Sequence, residues 1–333
     1  MLLLADGYSA ESVSECLIEM VEADDLGELL SARPNHKARG DCSVVDHSSE
    51  KWLKYFLKQS EIDLMRALKG HDGVVGLAYH ADIDVGVVTG RNEFFVVSKD
   101  KIREFELGRY TVPLIGRSSQ LRGAIIDVKE WESLADEGKD MHLLMLGAPD
   151  KPPLNAGAKR YVKAGEAEGY HLGYKCSIRS PWHLVPSVWA PDALFFRQIY
   201  DFPRAVLNEA RAVPTDTVHR VRCRRDPAAT VENVYTHLTA ASAEIEGRSY
   251  GGGVLELEPT EAERLLTPKA LRSGIPLAEI DRMVRGGKVA EVLAENDRAI
   301  LAAMGLSGRE CATLKSIWEK MRERRLSRKK IVR

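Results

Sequence analysis

The chain changes character at Glu261, and that change constrains its fold more than any other feature. Before it, short runs of β-forming residues are cut every few positions by Gly, Pro, Asn or Arg; from there to Arg333 the spacing is helical throughout. Strands followed by a block of helices, rather than alternating with them, predict an α+β architecture: a mixed, β-rich region and then a helical C-terminal region. The last helix is basic, because residues 315–333 hold nine Lys or Arg against two acids.

Charge is polarised along the rest of the chain too, although 48 Lys+Arg against 49 Asp+Glu leave a net charge of only −1. Residues 1–30 contain eight acids and no Lys or Arg, and residues 203–225 contain six Arg and two acids. Basic segments of this kind point to an anionic partner; the alternative for the tail is a solvated helix face. At 44 % hydrophobic and 29 % charged, the 333 residues are globular in profile and suffice for two or three domains. No apolar run approaches the ~20 residues that cross a bilayer. Met1-Leu2-Leu3-Leu4-Ala5 lacks the basic and long apolar regions of a signal peptide, so a cytoplasmic protein without a membrane partner is expected. Cys16, Cys42, Cys176, Cys223 and Cys311 are odd in number, dispersed and free of CxxC pairs, which favours packing roles over disulfides or structural zinc.

Local signals place the elements. A weak strand-like alternation runs from Ser14 to Val21, before a polar loop at 33–40. Ser60 as N-cap and Gly70 as terminator frame a short helix. The segments 85–90 and 94–97 read as two strands joined by a loop at Arg91-Asn92-Glu93, and Ser98 caps a helix running to Leu107. Three Pro and two Gly between Gly147 and Gly157 mark an internal linker, after which a helix spans 158–168. Asp226 followed by Pro227 starts a core-facing helix that carries Val234, Leu238, Ala241 and Ile245 and stops at Gly247. Thr260 with Glu263, and Ser307 with Glu310, have capping-box spacing.

Enzyme signatures are absent: there is no GxGxxG, phosphate-binding GxxxxGK[ST], HExxH or GxSxG motif, and the nine His are scattered without metal-ligand spacing. No catalytic and no metal-ligating residue is therefore assigned. His219 reads as a packed residue, and Gly251-Gly252-Gly253 as a flexible connection before a phosphate cradle. Arginine is the residue that stands out. A period-2 strand at 217–225 places Arg220, Arg222 and Arg224 on one face, as a rail for DNA phosphates or as the solvated face of an edge strand. Other arginines lie beside small polar or aromatic residues: Arg91 with Asn92, Arg117 with Ser118, Arg179 with Trp182, and Arg248 with Tyr250. Guanidinium and carboxamide groups are the ones that read guanine and adenine edges, so these eight residues are the candidates for base recognition.

The segments DVGVVTGRNEFFVVS (84–98), VPLIGRSSQLRG (112–123), YKCSIRSPWHLVPSVWAPDALF (174–195), FPRAVLNEARAVPTDTVHRVR (202–222) and EIEGRSYGGGVLELEPTEAERLLTP (244–268) resemble the region that follows the catalytic domain in γ-type N6-adenine DNA methyltransferases of restriction-modification systems. The resemblance implies a DNA target-recognition domain over residues 71–260, with 261–333 as its helical C-terminal region. Residues 1–70 would be the remnant of a catalytic domain or a docking segment for one, since Leu2 to Gly7 resemble its last strands. That family's Asn/Asp-Pro-Pro-aromatic motif and its glycine-rich S-adenosylmethionine loop are missing; the only Pro-Pro pair follows Lys151. A chain lacking a pocket for the flipped base cannot methylate it alone. The resemblance therefore implies a specificity subunit, or a truncated gene product, that binds double-stranded DNA, carries no cofactor and works with a catalytic subunit holding S-adenosylmethionine. Two alternatives stay open: a protein-interaction module or inactive homologue, and a site-specific endonuclease sharing the recognition region.

Overall fold

The structure is a computed structural model that describes residues 51–271 and 274–327 and, before them, residues 17–18, 27 and 43–44. Contacts divide the chain into Met1–His71 and Asp72–Arg333. In the first unit Leu17–Ile18 and Ser43–Val44 pair antiparallel, the former inside the expected strand-like stretch. The 33–40 loop lies outside the described residues, as do the acids of the first thirty residues. Helix Gln59–Lys69 starts just before Ser60: Lys58 is its N-cap, the Glu61 carboxylate accepts from the Lys58 amide at 2.8 Å, and Gly70 closes it.

The second unit is α+β. Its largest sheet has five strands in the order Ala81–Asp84, Val218–Cys223, Ala193–Phe196, Ala205–Asn208 and Ile125–Ile126, antiparallel except for the last pair. A four-stranded sheet runs Val213–Pro214, Thr111–Ile115, His142–Leu144 and Val96–Val97. Strand Thr111–Ile115 separates two cores, because successive side chains point to opposite faces. Leu114 joins Phe94, Phe95, Tyr161 and Leu144 on one side, and Ile115 joins Trp131, Leu134, Leu194 and Val206 on the other.

Two expectations change here. Segment 85–90 forms no strand, only a bridge from Val87 to Thr215, and Asn92–Phe95 is a helical turn. The reason is burial. A strand would send Phe94 and Phe95 to opposite faces, whereas a helical turn lets both enter one core, where they are 1 % and 0 % exposed. The 147–157 segment does not separate units: Leu146 and Ala148 are buried in the first core, and the Tyr110 hydroxyl donates to Pro153 O at 2.8 Å and accepts from the Asn155 amide at 2.9 Å. The helix after it, Ala156–Ala167, is capped by Asn155.

The C-terminal region belongs to the same unit but is not helical throughout, because Leu266–Pro268 is a strand paired antiparallel with Val74–Gly76. Asp226 caps Pro227–Val234, but the expected single helix breaks at Tyr235 and restarts from Thr236 as His237–Glu246. Glu258 with Glu261, rather than Thr260 with Glu263, closes the box on Pro259–Glu263, while Ser307 and Glu310 cap each other as their spacing predicts. Asp281 of helix Leu277–Arg285 accepts from the amides of Ala124 and Ile125 at 2.8 and 2.9 Å, and Arg285 pairs with Glu130 at 2.7 Å. The last helix, Gly308–Ser327, packs along His237–Glu246. Its basic residues are not all solvated. Arg322 pairs with Asp201, and Arg325, only 2 % exposed, spans the Glu244 carboxylate, Gly253 O and Tyr200 O. Among the described residues no helix is long and apolar enough to cross a membrane.

Candidate nucleic-acid interface

The arginine row divides at Arg220. Strand Val218–Cys223 is second from the sheet edge, with Ala81–Asp84 outside it, so its first four residues are buried on both faces. Register sets Arg220 opposite Asp84 and Arg222 opposite Asp82, the arrangement in which opposite charges on neighbouring strands attract. Arg220 is 5 % exposed. It donates from Nε to Val85 O at 2.9 Å, from Nη1 to Ser187 O at 2.6 Å and from Nη2 to Asp84 at 2.6 Å. Burial lowers its pKa, opposed by Asp84. The expected open row of three is thus corrected, because a guanidinium with its donors spent on buried carbonyls has none left for a phosphate. Arg222 is exposed, stacks 4.5 Å from the Trp189 ring centroid and makes no hydrogen bond or ion pair among the described residues. Arg224, about half exposed, pairs with Asp82.

Three contacts hold the loop from Asp84 to Asn92. Arg220 grips it at Asp84 and Val85, Pro214 O accepts from the Val87 amide at 2.8 Å, and Arg179 donates to Thr89 O and Val88 O at 2.6 and 3.0 Å. Gly86 permits the middle contact, since a Cβ there would stand 1.9 Å from Thr215 O. Gly90, at φ +87°, turns the chain into Arg91. Beyond the clamp the loop is open. The Arg91 side chain is exposed and makes no hydrogen bond or ion pair among the described residues, and exposed Asn92 accepts from Thr89 Oγ1 at 2.6 Å. Asn92 opens the helical turn Asn92–Phe95 instead of lying in the expected loop.

Four of the eight base-reading candidates therefore meet: Arg91, Asn92, Arg179 and Trp182. Arg179 is half-buried, lowered in pKa by that burial, and serves as a clamp. Trp182 packs 4.7 Å from the Phe94 ring and donates to Glu166 at 3.0 Å. Both position the loop from below. Arg117 and Ser118 lie after strand Thr111–Ile115; Arg117 is exposed, and Gln120 Oε1 holds the turn by accepting from the Gly116 and Arg117 amides. Arg248 belongs to a separate three-stranded sheet, Gln198–Ile199, Leu255–Glu256 and Arg248–Ser249, and exposed Tyr250 follows its strand. Arg248 is committed to Glu261 at 2.8 Å. The glycine run 251–253 forms a 3-10 turn leading into a strand, and Arg325 holds its Gly253 carbonyl.

Residue composition passed over two features. Lys175 sits 5.7 Å above the exposed Tyr174 ring on the turn next to Gly90. The acids that neutralise the arginine strand were visible as Asp82-Ile83-Asp84, with the same period of two. Among the described residues no group of three His, Cys, Asp or Glu is arranged to hold a metal.

Comparison with known proteins matches residues 49–301 to the family described as type II methyltransferase M.Eco57I, C-terminal domain. The type II methyltransferase M.AccI of Acinetobacter calcoaceticus is 23 % identical over 253 residues, which is 72 % of this chain and 44 % of that protein. The crystal structure of the type IIG restriction endonuclease BpuSI aligns over 83 % of this chain and 34 % of that one, at 12 % identity and a TM-score of 0.47. The chain thus spans less than half the length of either relative.

Proposed function

Because the chain belongs to the family of type II methyltransferase C-terminal domains, we propose that it recognises the DNA sequence for an adenine-N6 methyltransferase of a restriction-modification system. Duplex DNA is its ligand, and a methyltransferase catalytic subunit, holding S-adenosylmethionine, is its partner. One observation carries the reading: the 84–92 loop is clamped from below by Arg220 and Arg179 while Arg91 and Asn92 stay exposed. A guanidinium and a carboxamide on a rigid support can discriminate base edges, because little entropy is lost when they bind. On this reading exposed Arg222 takes a phosphate and exposed Arg117 a base edge.

Fluorescence anisotropy of the full chain with mixed-sequence duplex DNA over a salt series tests the reading. A steep fall of log K with log [salt] is expected, and N6-methyladenine should form in the DNA once a catalytic subunit and S-adenosylmethionine are added. Absence of DNA binding at low salt would refute it.

A further inference from the structure

The three most exposed large apolar side chains of the described residues are Tyr174 at 74 %, Leu172 at 73 % and Ile178 at 64 %. Isolated exposed apolar residues are ordinary, but these fall within one short segment whose backbone is anchored. Cys176 between them is fully buried, Tyr170 packs 6.0 Å from the Phe94 ring, and Arg179 is bonded to the clamped loop. The apolar tips are therefore presented outward on a fixed support.

Their surroundings select the partner. Lys175 stands over the Tyr174 ring, and the Arg91 guanidinium lies so close to Gly173 that a Cβ there would be 3.2 Å from its Nε. From Gly169 to Pro191 there is no Asp or Glu. The core of a protein–protein interface is depleted in charge. Cations interleaved with an apolar tip instead fit phosphates on either side of stacked bases. On the reading that the chain binds DNA, we infer that Leu172, Tyr174 and Ile178 form a wedge that enters a base step of the duplex, with Lys175 and Arg91 on the flanking phosphates.

Wedging requires unstacking, so a step already unstacked should be preferred. The test uses the full chain and two labelled duplexes of about 30 base pairs, identical but for one central mismatch. The unmodified chain should bind the mismatched duplex tighter by on the order of tenfold, since part of the unstacking is already done at a mismatched step. Leu172→Ala/Tyr174→Ala should lose that preference while keeping its salt slope and its thermal midpoint; Tyr174→Phe should retain the preference. Equal affinity of the unmodified chain for both duplexes, or a preference that survives the double substitution, overturns the wedge and leaves DNA recognition standing. A double variant that keeps the DNA preference but loses a catalytic subunit assigns the surface to a protein and also overturns the wedge. Failure of the unmodified chain to bind any duplex overturns both readings.

Discussion

Arg220 and Arg222 are two residues apart and chemically identical, yet the sheet gives them different work. Replacing Arg220 with Ala leaves Val85 O and Ser187 O without their partner beneath the loop. A loss of about 2–4 kcal/mol of stability is expected in denaturant melts, because unsatisfied buried acceptors cost more than the bonds themselves. Arg222→Ala should leave stability almost unchanged and reduce the magnitude of the log K against log [salt] slope by roughly 0.9, the signature of one phosphate contact. Equal stability losses in the two variants would contradict this division. Sequence periodicity had put both on one face, and it did; strand position in the sheet decided that only one reached solvent.

The loop and the last helix are the elements whose support is most specific. Gly86→Ala drives a Cβ into Thr215 O, so the 84–92 loop must lift from its bed. Discrimination between DNA sequences should fall while the salt slope stays the same, since no charge is removed; an unaltered sequence preference would show that the loop does not read bases. Asn92→Ala removes both the acceptor of Thr89 Oγ1 and the exposed carboxamide itself, and should lower discrimination between DNA sequences at an unchanged salt slope. On the last helix, Arg325→Ala strands the Glu244 carboxylate, 3 % exposed, with its pKa already raised by burial. Removing one partner of a buried pair costs about 3–5 kcal/mol, and proteolysis at the helix should accelerate accordingly. A helix that stays protected would show that Trp318, with its indole N–H on Asp201 O, suffices to dock it.

At the scale of the whole molecule, two buried imidazoles and one half-buried one set an acid limit. Burial holds His80, His142 and His219 below the usual histidine value, and Nδ1 of each lacks a partner. The unfolded chain therefore takes up more protons than the fold as pH drops through about 6.5, so their contribution is complete above that pH and is lost below it. Glu232 and Glu244, raised by burial, act with the opposite sign: their contribution is complete at low pH and lost as pH rises through their folded values. The urea midpoint should climb between about pH 5.5 and 7.5, and His219→Gln, which keeps a donor for Leu257 O, should flatten part of that climb. A flat profile in the parent chain would contradict it. Calorimetry with S-adenosylmethionine should record no heat of binding; micromolar affinity would move catalysis onto this chain.

What the sequence determined by itself was local: the α+β class, the caps at Ser98, Asp226 and Ser307, and the family resemblance carried by its loop motifs. Each depends on residues a few positions apart, where propensity and capping operate without help from distant chain. Tertiary structure decided which arginines are free. Arg220 meets Asp84 across 136 positions, Arg179 meets Thr89 across 90, and Arg325 meets Glu244 across 81. A guanidinium reads the same in sequence whether it holds a buried carbonyl or awaits a phosphate. Only the chain brought opposite it settles which donors remain.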